Sequence, residues 1–388
     1  MDVEGIRRRF PFLNQSTYLG TAAHGPLPID ATDAMQRSLH NEDVDERSAV
    51  ATSVRRLAAD IMRVSEEEIV LMSNVSAGIN LLAGSLAWKQ GDNIVVCERE
   101  YPANVIPWKY QAERRGLDLR IARPLDLRAT EESILHAIDD RTRVVAISLV
   151  EFGTGYTNQV RALAEQIHRR GGLLCVDGVQ AVGAIPVDAP ELGIDVLACG
   201  GYKWLCGPPG TGFTYVRQDL MRNLAPPVAT YENTSKKWEK SIDQFMSYGT
   251  GYPSVPLELA DNARKFGFPI ESPVLYAGLA ASMRLLTELG LDWIYQRVAS
   301  LAEHFLRLLA DRRLRLLHSF GQPHRAGIVS LRIPDHLDVN QVDLEGALRE
   351  RGIIAHLRVG GIRCSIHFFN TEEELERAVD VLADFLSV

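Results

Sequence analysis

An α/β fold, with a large domain on a mainly parallel sheet and a smaller C-terminal α/β domain, is predicted by three observations. From about residue 50 to 220, short β-branched runs alternate with longer amphipathic segments, the pattern of a mostly parallel sheet covered by helices. Polar and reactive residues stand where several of those apolar runs end, and in such sheets ligands gather at the carboxyl ends of the strands. After a Pro- and Gly-rich interruption, the last third of the chain returns to strands and helices. The expected strands of the first part are EEIVLM, NIVVCE, RVVAISLV, LLCVDG, DVLACG and GFTYV, with helices such as SAGINLLAGSLAWK and VRALAEQIHRR between them. Residues 222–256 read as a long loop, and a loop of that length is usually functional. A helical region follows over roughly 257–312, then strands at IVSLRIP, IIAHL and IRCSIHF, a helix near NQVDLEGALRERG and a last helix at TEEELERAVDVLADFL. Thr371 and Glu374 form a capping box for that helix. The expected division is a large domain over 16–256 and a small one over 257–388 joined by residues 1–15.

Composition narrows the class of function. The chain has 388 residues, 46% hydrophobic and 24% charged, the balance of a globular protein with room for two domains. A net charge of −8 argues against nucleic-acid binding, since no basic surplus exists to neutralise phosphates. No stretch reaches the length of apolar sequence that a membrane helix requires. The opening MDVEGIRRRFPF has no apolar run behind its basic residues, so no signal peptide is expected. The five cysteines, at 97, 175, 199, 206 and 364, have neither paired nor zinc-binding spacing. They are expected to be buried small hydrophobes, no metal is expected, and a reducing cytoplasmic location is the expected setting.

Three segments carry chemistry. In ACGGYKWLCGPPGTGF a strand runs into a glycine pair and Lys203. A lysine presented from a strand end into a sheltered site has a lowered pKa and serves as an amine nucleophile, although one such lysine alone is also compatible with a surface turn. In LLCVDGVQAVG, Asp177 ends an apolar strand, where an isolated carboxylate is costly and needs a cationic partner such as a protonated pyridine nitrogen. Gln180, three residues on, stands where it can reach the phenolic oxygen of the same ring. Asp177 and Lys203 are one strand–helix–strand step apart, so two adjacent strand ends can offer both groups to one ring. In VLMSNVSAGINLLAG a strand turns into a helix through Ser73, Asn74, Val75 and Ser76. A helix start of this kind is an ordinary cap or a phosphate site, and beside Lys203 and Asp177 the phosphate reading is preferred.

With these motifs the sequence resembles the class V aminotransferase family of fold-type I pyridoxal-5′-phosphate (PLP) enzymes, from YLGTAAHGPLP to HFFNTEEELERAVDVL. The resemblance implies a PLP-dependent transferase fold of type I, with a seven-stranded sheet, and PLP as cofactor. It implies Lys203 as the Schiff-base lysine, Asp177 and Gln180 as ring-binding residues, and Val75 and Ser76 as the phosphate loop. Thr250 matches a threonine that reaches the partner subunit's cofactor phosphate, so a homodimer with shared sites is expected. Arg363 matches the arginine that grips the substrate α-carboxylate, a task suited to its planar fork.

The departures bear on specificity. Tyr202 stands before the lysine where many relatives have histidine, and is expected to replace it as a phosphate ligand. Glu100, Tyr101 and Pro102 stand where relatives have Glu-His-His, which makes Tyr101 the residue to stack on the ring. Phe152 stands where an asparagine often contacts the cofactor. Cysteine desulfurases carry a reactive cysteine on a loop before the arginine; here that stretch is AHLRVGGIR, without cysteine, and Cys364 is expected to point away. His24 is a candidate substrate contact, whereas His367 reads as a packed strand residue. The reading is therefore a PLP-dependent enzyme acting on an α-amino acid, with Lys203 as acid/base at Cα. The first choice of reaction is β-elimination by a C–S lyase on a cysteine conjugate, in small-molecule biosynthesis. Transamination, epimerisation and decarboxylation use the same parts, and a PLP-fold regulator without turnover is the non-enzymatic alternative.

Overall fold

The computed structural model describes residues 2–40, 44–124, 130–249, 256–267, 272–318, 321, 325–334 and 343–386. Its strands, in chain order, are β1 (Thr17–Tyr18), β2 (Ile69–Leu71), β3 (Asn93–Cys97), β4 (Asp118–Ala122), β5 (Thr142–Ser148) and β6 (Leu173–Asp177). They continue with β7 (Val196–Gly200), β8 (Gly212–Val216), β9 (Ile328–Arg332), β10 (Ile353–Ile354), β11 (His356–Arg358) and β12 (Gly361–Ser365). Seven of them form the central sheet in the order β2-β8-β7-β6-β5-β3-β4. Neighbours β7-β6-β5-β3-β4 run parallel and only β8 is antiparallel to its neighbours.

The alternation of side chains explains why the apolar runs are nearly continuous. On one face Val95, Val145, Ile147, Leu174, Val176, Leu197 and Cys199 join one core; on the other Ile94, Val96, Val144, Ala146, Cys175, Val196 and Ala198 join a second. A strand buried on both faces must be apolar at every position. The helix Val75–Ser85 covers the second face, and Pro273–Leu289 packs against the first.

The strand β4 went unforeseen. Its sequence DLRIA alternates charge with aliphatic residues, and four of its five positions are at least partly exposed, as suits an edge strand that pairs on one side only. Residues 222–256 are not a continuous loop: Lys236–Tyr248 is a helix of 13 residues. Ser235 caps its start by accepting from Trp238 N, and Gly249 ends it in the left-handed region at φ 71°. The helix is anchored by Trp238, whose indole donates to the Pro256 carbonyl at 2.8 Å; most of its remaining surface is polar, which hid it among flanking turn residues. The helical region expected from 257 starts only at Pro273, with Ser272 as cap, and Gly290 at φ 83° separates Pro273–Leu289 from Leu291–Asp311.

In the last third, β11-β12-β9 form an antiparallel sheet whose core includes Val329, Leu331, Ile362 and Cys364 together with Leu375, Val379 and Leu382 of the helix Glu372–Leu386. The capping box is present: Glu374 N donates to Thr371 Oγ1 at 3.3 Å and Thr371 N to Glu374 Oε2 at 3.1 Å. The run IIAHL divides into β10, which pairs with β1, and β11, which pairs with β12. The N-terminal segment packs here, with Arg7 on Glu374 at 2.8 Å and Ser365 N donating to Leu19 O. Among the described residues no single helix is long and apolar enough to cross a membrane.

Candidate active site

Because β2, β3, β5, β6 and β7 share one direction, their carboxyl ends lie along one edge of the sheet. Asp177 is the last residue of β6 and pairs in register with Ser148 at the end of β5 and with Ala198 of β7. Lys203 follows three residues after β7. Both are nearly sealed from solvent, at 8% exposure for Lys203 and 2% for Asp177. Burial pulls the Lys203 ammonium down to about 8, against the opposing pull of Asp177 and with help from the Arg363 charge. Burial likewise pushes the Asp177 carboxyl up, with the Val179 amide and Lys203 acting the other way. A single hydrogen bond, from Val179 N at 2.9 Å, reaches the Asp177 carboxylate among the described residues. The carboxylate is thus left with capacity for a cationic donor.

Two aromatic rings flank the amine. Lys203 Nζ lies 5.7 Å from the ring centres of both Tyr101 and Tyr202. The Tyr101 ring meets Phe152 edge-on at 5.2 Å. The Tyr202 ring meets His24 at 5.2 Å, and that approach depends on Gly25. Its N–H donates to the Tyr202 carbonyl at 2.8 Å, and a Cβ at this position would sit 2.1 Å from the Lys203 carbonyl oxygen. Gln180 is buried and held from two sides, with its Nε2 donating to Ala22 O at 2.9 Å and its Oε1 accepting from Trp204 Nε1 at 2.8 Å.

At the end of β2, Asn74 accepts from Ala77 N at 2.9 Å and starts the helix Val75–Ser85. The cap therefore consumes one amide and leaves those of Val75 and Ser76 without an acceptor among the described residues. Gly78 lets this helix settle on the sheet: a Cβ there would lie 2.1 Å from Thr214 Oγ1 and 3.0 Å from Ala198 Cβ. Arg363 enters from β12. It is buried, its Nη1 donates to Phe152 O at 2.8 Å, and its Nε has no partner among the described residues. Burial, with the nearby Arg358 charge, brings its guanidinium down to about 10.

These features fit PLP. A buried amine beside a buried carboxylate with spare capacity suits the aldehyde and the ring nitrogen, two free amides at a helix start suit the phosphate, and a desolvated guanidinium with a free N–H suits a substrate carboxylate. The structure brings Lys203, Asp177, Gln180, Tyr101, Tyr202, His24 and Arg363 to one end of the sheet. Thr250 lies outside the described residues. His367 is packed away: its Nε2 donates to Trp204 O at 3.0 Å and burial holds its ring down to about 3. Among the described residues no group of three potential ligands is arranged for a metal.

Sequence reasoning missed three participants. Glu100 is buried, accepts from Ser148 N at 2.7 Å, Ser148 Oγ at 2.6 Å and Asn104 Nδ2 at 2.9 Å, and is pushed up to about 8 by burial. It ties the segment carrying Tyr101 to the end of β5, and the signal was there, a carboxylate just past an apolar strand, as for Asp177. The Phe152 carbonyl that orients Arg363 and the charge of Arg358 depend on loop placement and left no trace in the pattern. Val359, which follows Arg358, takes φ 51° in the two-residue turn of the β11–β12 hairpin, with Gly360 at φ 76°. A Cβ on Gly153 would lie 2.4 Å from Val359 Cγ2, so the hairpin tip rests on the loop of Phe152.

Residues 30–378 match the model of the family described as aminotransferase class V. A cysteine desulfurase of Klebsiella pneumoniae (strain 342) is 30% identical over 416 aligned residues, covering 97% of this chain and 96% of the relative. A cysteine desulfurase of Dickeya dadantii (strain 3937) is 28% identical over 417 residues, covering 97% and 95%. Among solved structures, the complex between the cystine C–S lyase C-DES and its reaction product cysteine persulfide has a TM-score of 0.85 at 24% identity, covering 97% of this chain and 99% of that one, a likeness of fold.

Proposed function

The chain belongs to the class V aminotransferase family and is a PLP-dependent enzyme; from that premise we propose that it acts on an α-amino acid, as a C–S lyase that cleaves a cysteine conjugate by β-elimination. The observation that carries the reading is the β11–β12 hairpin. Arg358 pairs directly with Gly361, so only Val359 and Gly360 form the turn, where the resemblance to desulfurases would place a longer loop with a reactive cysteine. All five cysteines are buried and free. Sulfur chemistry is then confined to the substrate, and the sulfur leaves with its own substituent.

In this reading Lys203 would hold the cofactor, Asp177 would serve the ring nitrogen, Gln180 the phenolic oxygen, and Val75, Ser76 and Tyr202 the phosphate, with Tyr101 as the stacking residue. When bound, PLP supplies an electron sink for the substrate Cα. Arg363 binds the α-carboxylate and orients Cα. His24, beside Tyr202, contacts the substrate. Lys203, with its pKa brought down to about 8, takes the Cα proton at Nζ and remains reachable as an acid. The Cβ–S bond then breaks, the thiolate departs with the electron pair, and the remaining three-carbon unit hydrolyses to pyruvate and ammonia.

A homodimer with Thr250 reaching the partner's phosphate belongs to the same proposal. It is supported by Met246 and Tyr248, which are 78% and 79% exposed at the end of the helix just before Thr250. The buried, unpaired thiols support a reducing cytoplasmic setting. The reading is tested by product analysis with a panel of L-cysteine conjugates, L-cysteine and common amino acids. Pyruvate, ammonia and a free thiol in equal amounts are expected from a conjugate. Alanine with enzyme-bound persulfide would restore desulfuration, a new keto acid would mean transamination, and a D-amino acid epimerisation.

A further inference from the structure

Gln180 is held by two partners whose chemistry leaves no choice of orientation. An indole N–H only donates and a backbone carbonyl only accepts. Trp204 Nε1 at 2.8 Å therefore fixes which end of the amide is Oε1, and Ala22 O at 2.9 Å independently fixes the other end as Nε2. Trp204 is itself immobilised. It has no exposed surface, its carbonyl accepts from His367 Nε2 at 3.0 Å, and its ring meets His367 edge-on at 5.1 Å. Gly327 makes room for the indole, since a Cβ there would lie 2.8 Å from Trp204 Cη2. Trp204 also follows Lys203 directly in the chain, so the same turn that presents the amine orients the amide.

We infer that Trp204 is a positioning residue: its indole N–H locks the Gln180 amide so that the NH2 group, not the carbonyl, is offered to the phenolic oxygen of the cofactor. The inference rests on the reading that Gln180 faces that oxygen. One hydrogen of the Gln180 NH2 is taken by Ala22 O and the second remains available. Without the indole N–H, Oε1 would be a buried acceptor lacking its partner, and Ala22 O alone would hold the amide, so the second N–H would no longer be aimed at an oxygen that carries negative charge. A donor at that oxygen withdraws electron density and loosens its hold on the neighbouring proton of the lysine–cofactor chromophore. Loss of the donor tightens that hold.

The test is a pH titration of the visible absorbance band of the purified holoenzyme and of Trp204→Phe, Trp204→His, Gln180→Ala and the Trp204→Phe/Gln180→Ala double variant. Trp204→Phe is expected to move the midpoint up by about one pH unit, the worth of one hydrogen bond to a charged group. Gln180→Ala should move it in the same direction, and the double variant no further than Gln180→Ala. Trp204→His, which keeps a ring N–H, should stay closer to the parent than Trp204→Phe. Should Trp204→Phe fail to fold, Trp204→Leu carries the same expectation. A Trp204→Phe midpoint equal to that of the parent, with Gln180→Ala shifted, would overturn the positioning role. An unshifted Gln180→Ala would instead overturn the underlying placement of Gln180, and the two failures are distinguishable.

Discussion

Lys203, Asp177 and Gln180 stand at or just after the ends of adjacent parallel strands, and each is less than a tenth exposed. Tyr101, Phe152, Arg358 and Val359 come from two loops and the β11–β12 hairpin and range from half-buried to exposed. The first group is the floor of the site, the second its rim. Desolvation shifts charges on the floor: Lys203 is brought down and Asp177 pushed up because neither has water to lean on. The rim instead sets shape, through ring contacts and a hairpin turn that rests on Gly153. A floor of this kind serves any reaction that starts at Cα, and the choice of bond broken afterwards belongs to the rim. The largest effects are accordingly expected on the floor.

Lys203→Ala should abolish the visible band of the bound cofactor, because no other lysine is placed beside Asp177 at the strand ends. Borohydride reduction of the parent enzyme followed by peptide mapping should place the pyridoxyl adduct on Lys203. An adduct on a different lysine would break the division between floor and rim at its centre.

The same residue should leave a mark on stability. A lysine whose folded pKa falls from 10.5 to about 8 binds its proton more weakly folded than unfolded. Below pH 8 both states are protonated and the fold carries the whole penalty; between 8 and 10.5 the unfolded chain holds more protons, so stability rises with pH. The drop is worth about 3 kcal/mol. Urea unfolding of the cofactor-free protein should show that rise, and Lys203→Ala should lack it. Identical pH profiles for the two proteins would mean that the amine is solvated.

Asp177→Asn should retain cofactor but lose activity by at least about 2 kcal/mol in the barrier, or about 30-fold, since a neutral amide cannot hold a proton on the ring nitrogen. Turnover within about twofold of the parent would show that another group serves that nitrogen.

How much of this was legible follows the same division. The floor could be read because a parallel sheet turns a local pattern, an apolar run ending in a polar residue, into a definite place: Asp177 ends β6 and Lys203 follows the adjacent β7, although turns join the two strands where the spacing implied a helix. The edge strand β4 and the helix Lys236–Tyr248 escaped because each buries little: four of the five β4 positions are at least partly exposed, and Trp238 is the buried residue of the helix. The rim was only partly legible. Tyr101 was singled out by its position, but its contact with Phe152, and that of Phe152 O with Arg363, join residues more than fifty and two hundred positions apart in the chain, and no window of sequence contains such a pair. Glu100 follows the same rule as Asp177, a carboxylate just past an apolar strand, and its bonds to Ser148 depend on the neighbouring strand end.

The smallest effect is expected at the cysteines, where the comparison between floor and rim is sharpest. Desulfuration through an enzyme thiol would need a cysteine on the rim, and the hairpin tip there is Val359–Gly360. The nearest in sequence, Cys364, pairs in register with Val329 on β9 and packs with Ile362 and Leu375 in the C-terminal core. Arg363, one position earlier on the strand, points to the opposite face, as strand geometry requires. Burial pushes the Cys364 thiol up to about 12, so almost none of it is thiolate at neutral pH and it is a poor nucleophile. Replacing Cys364 with Ala should therefore leave pyruvate release from a cysteine conjugate within about twofold of the parent, the residual change reflecting a small loss of packing. The same holds for Cys97, Cys175, Cys199 and Cys206, each replaced singly and assayed for thiol and pyruvate. If Cys364→Ala alone eliminated sulfide release from free L-cysteine while the fold and the cofactor band survived, the hairpin would have to open far enough to bring β12 around, and the rim would be a moving part of the chemistry.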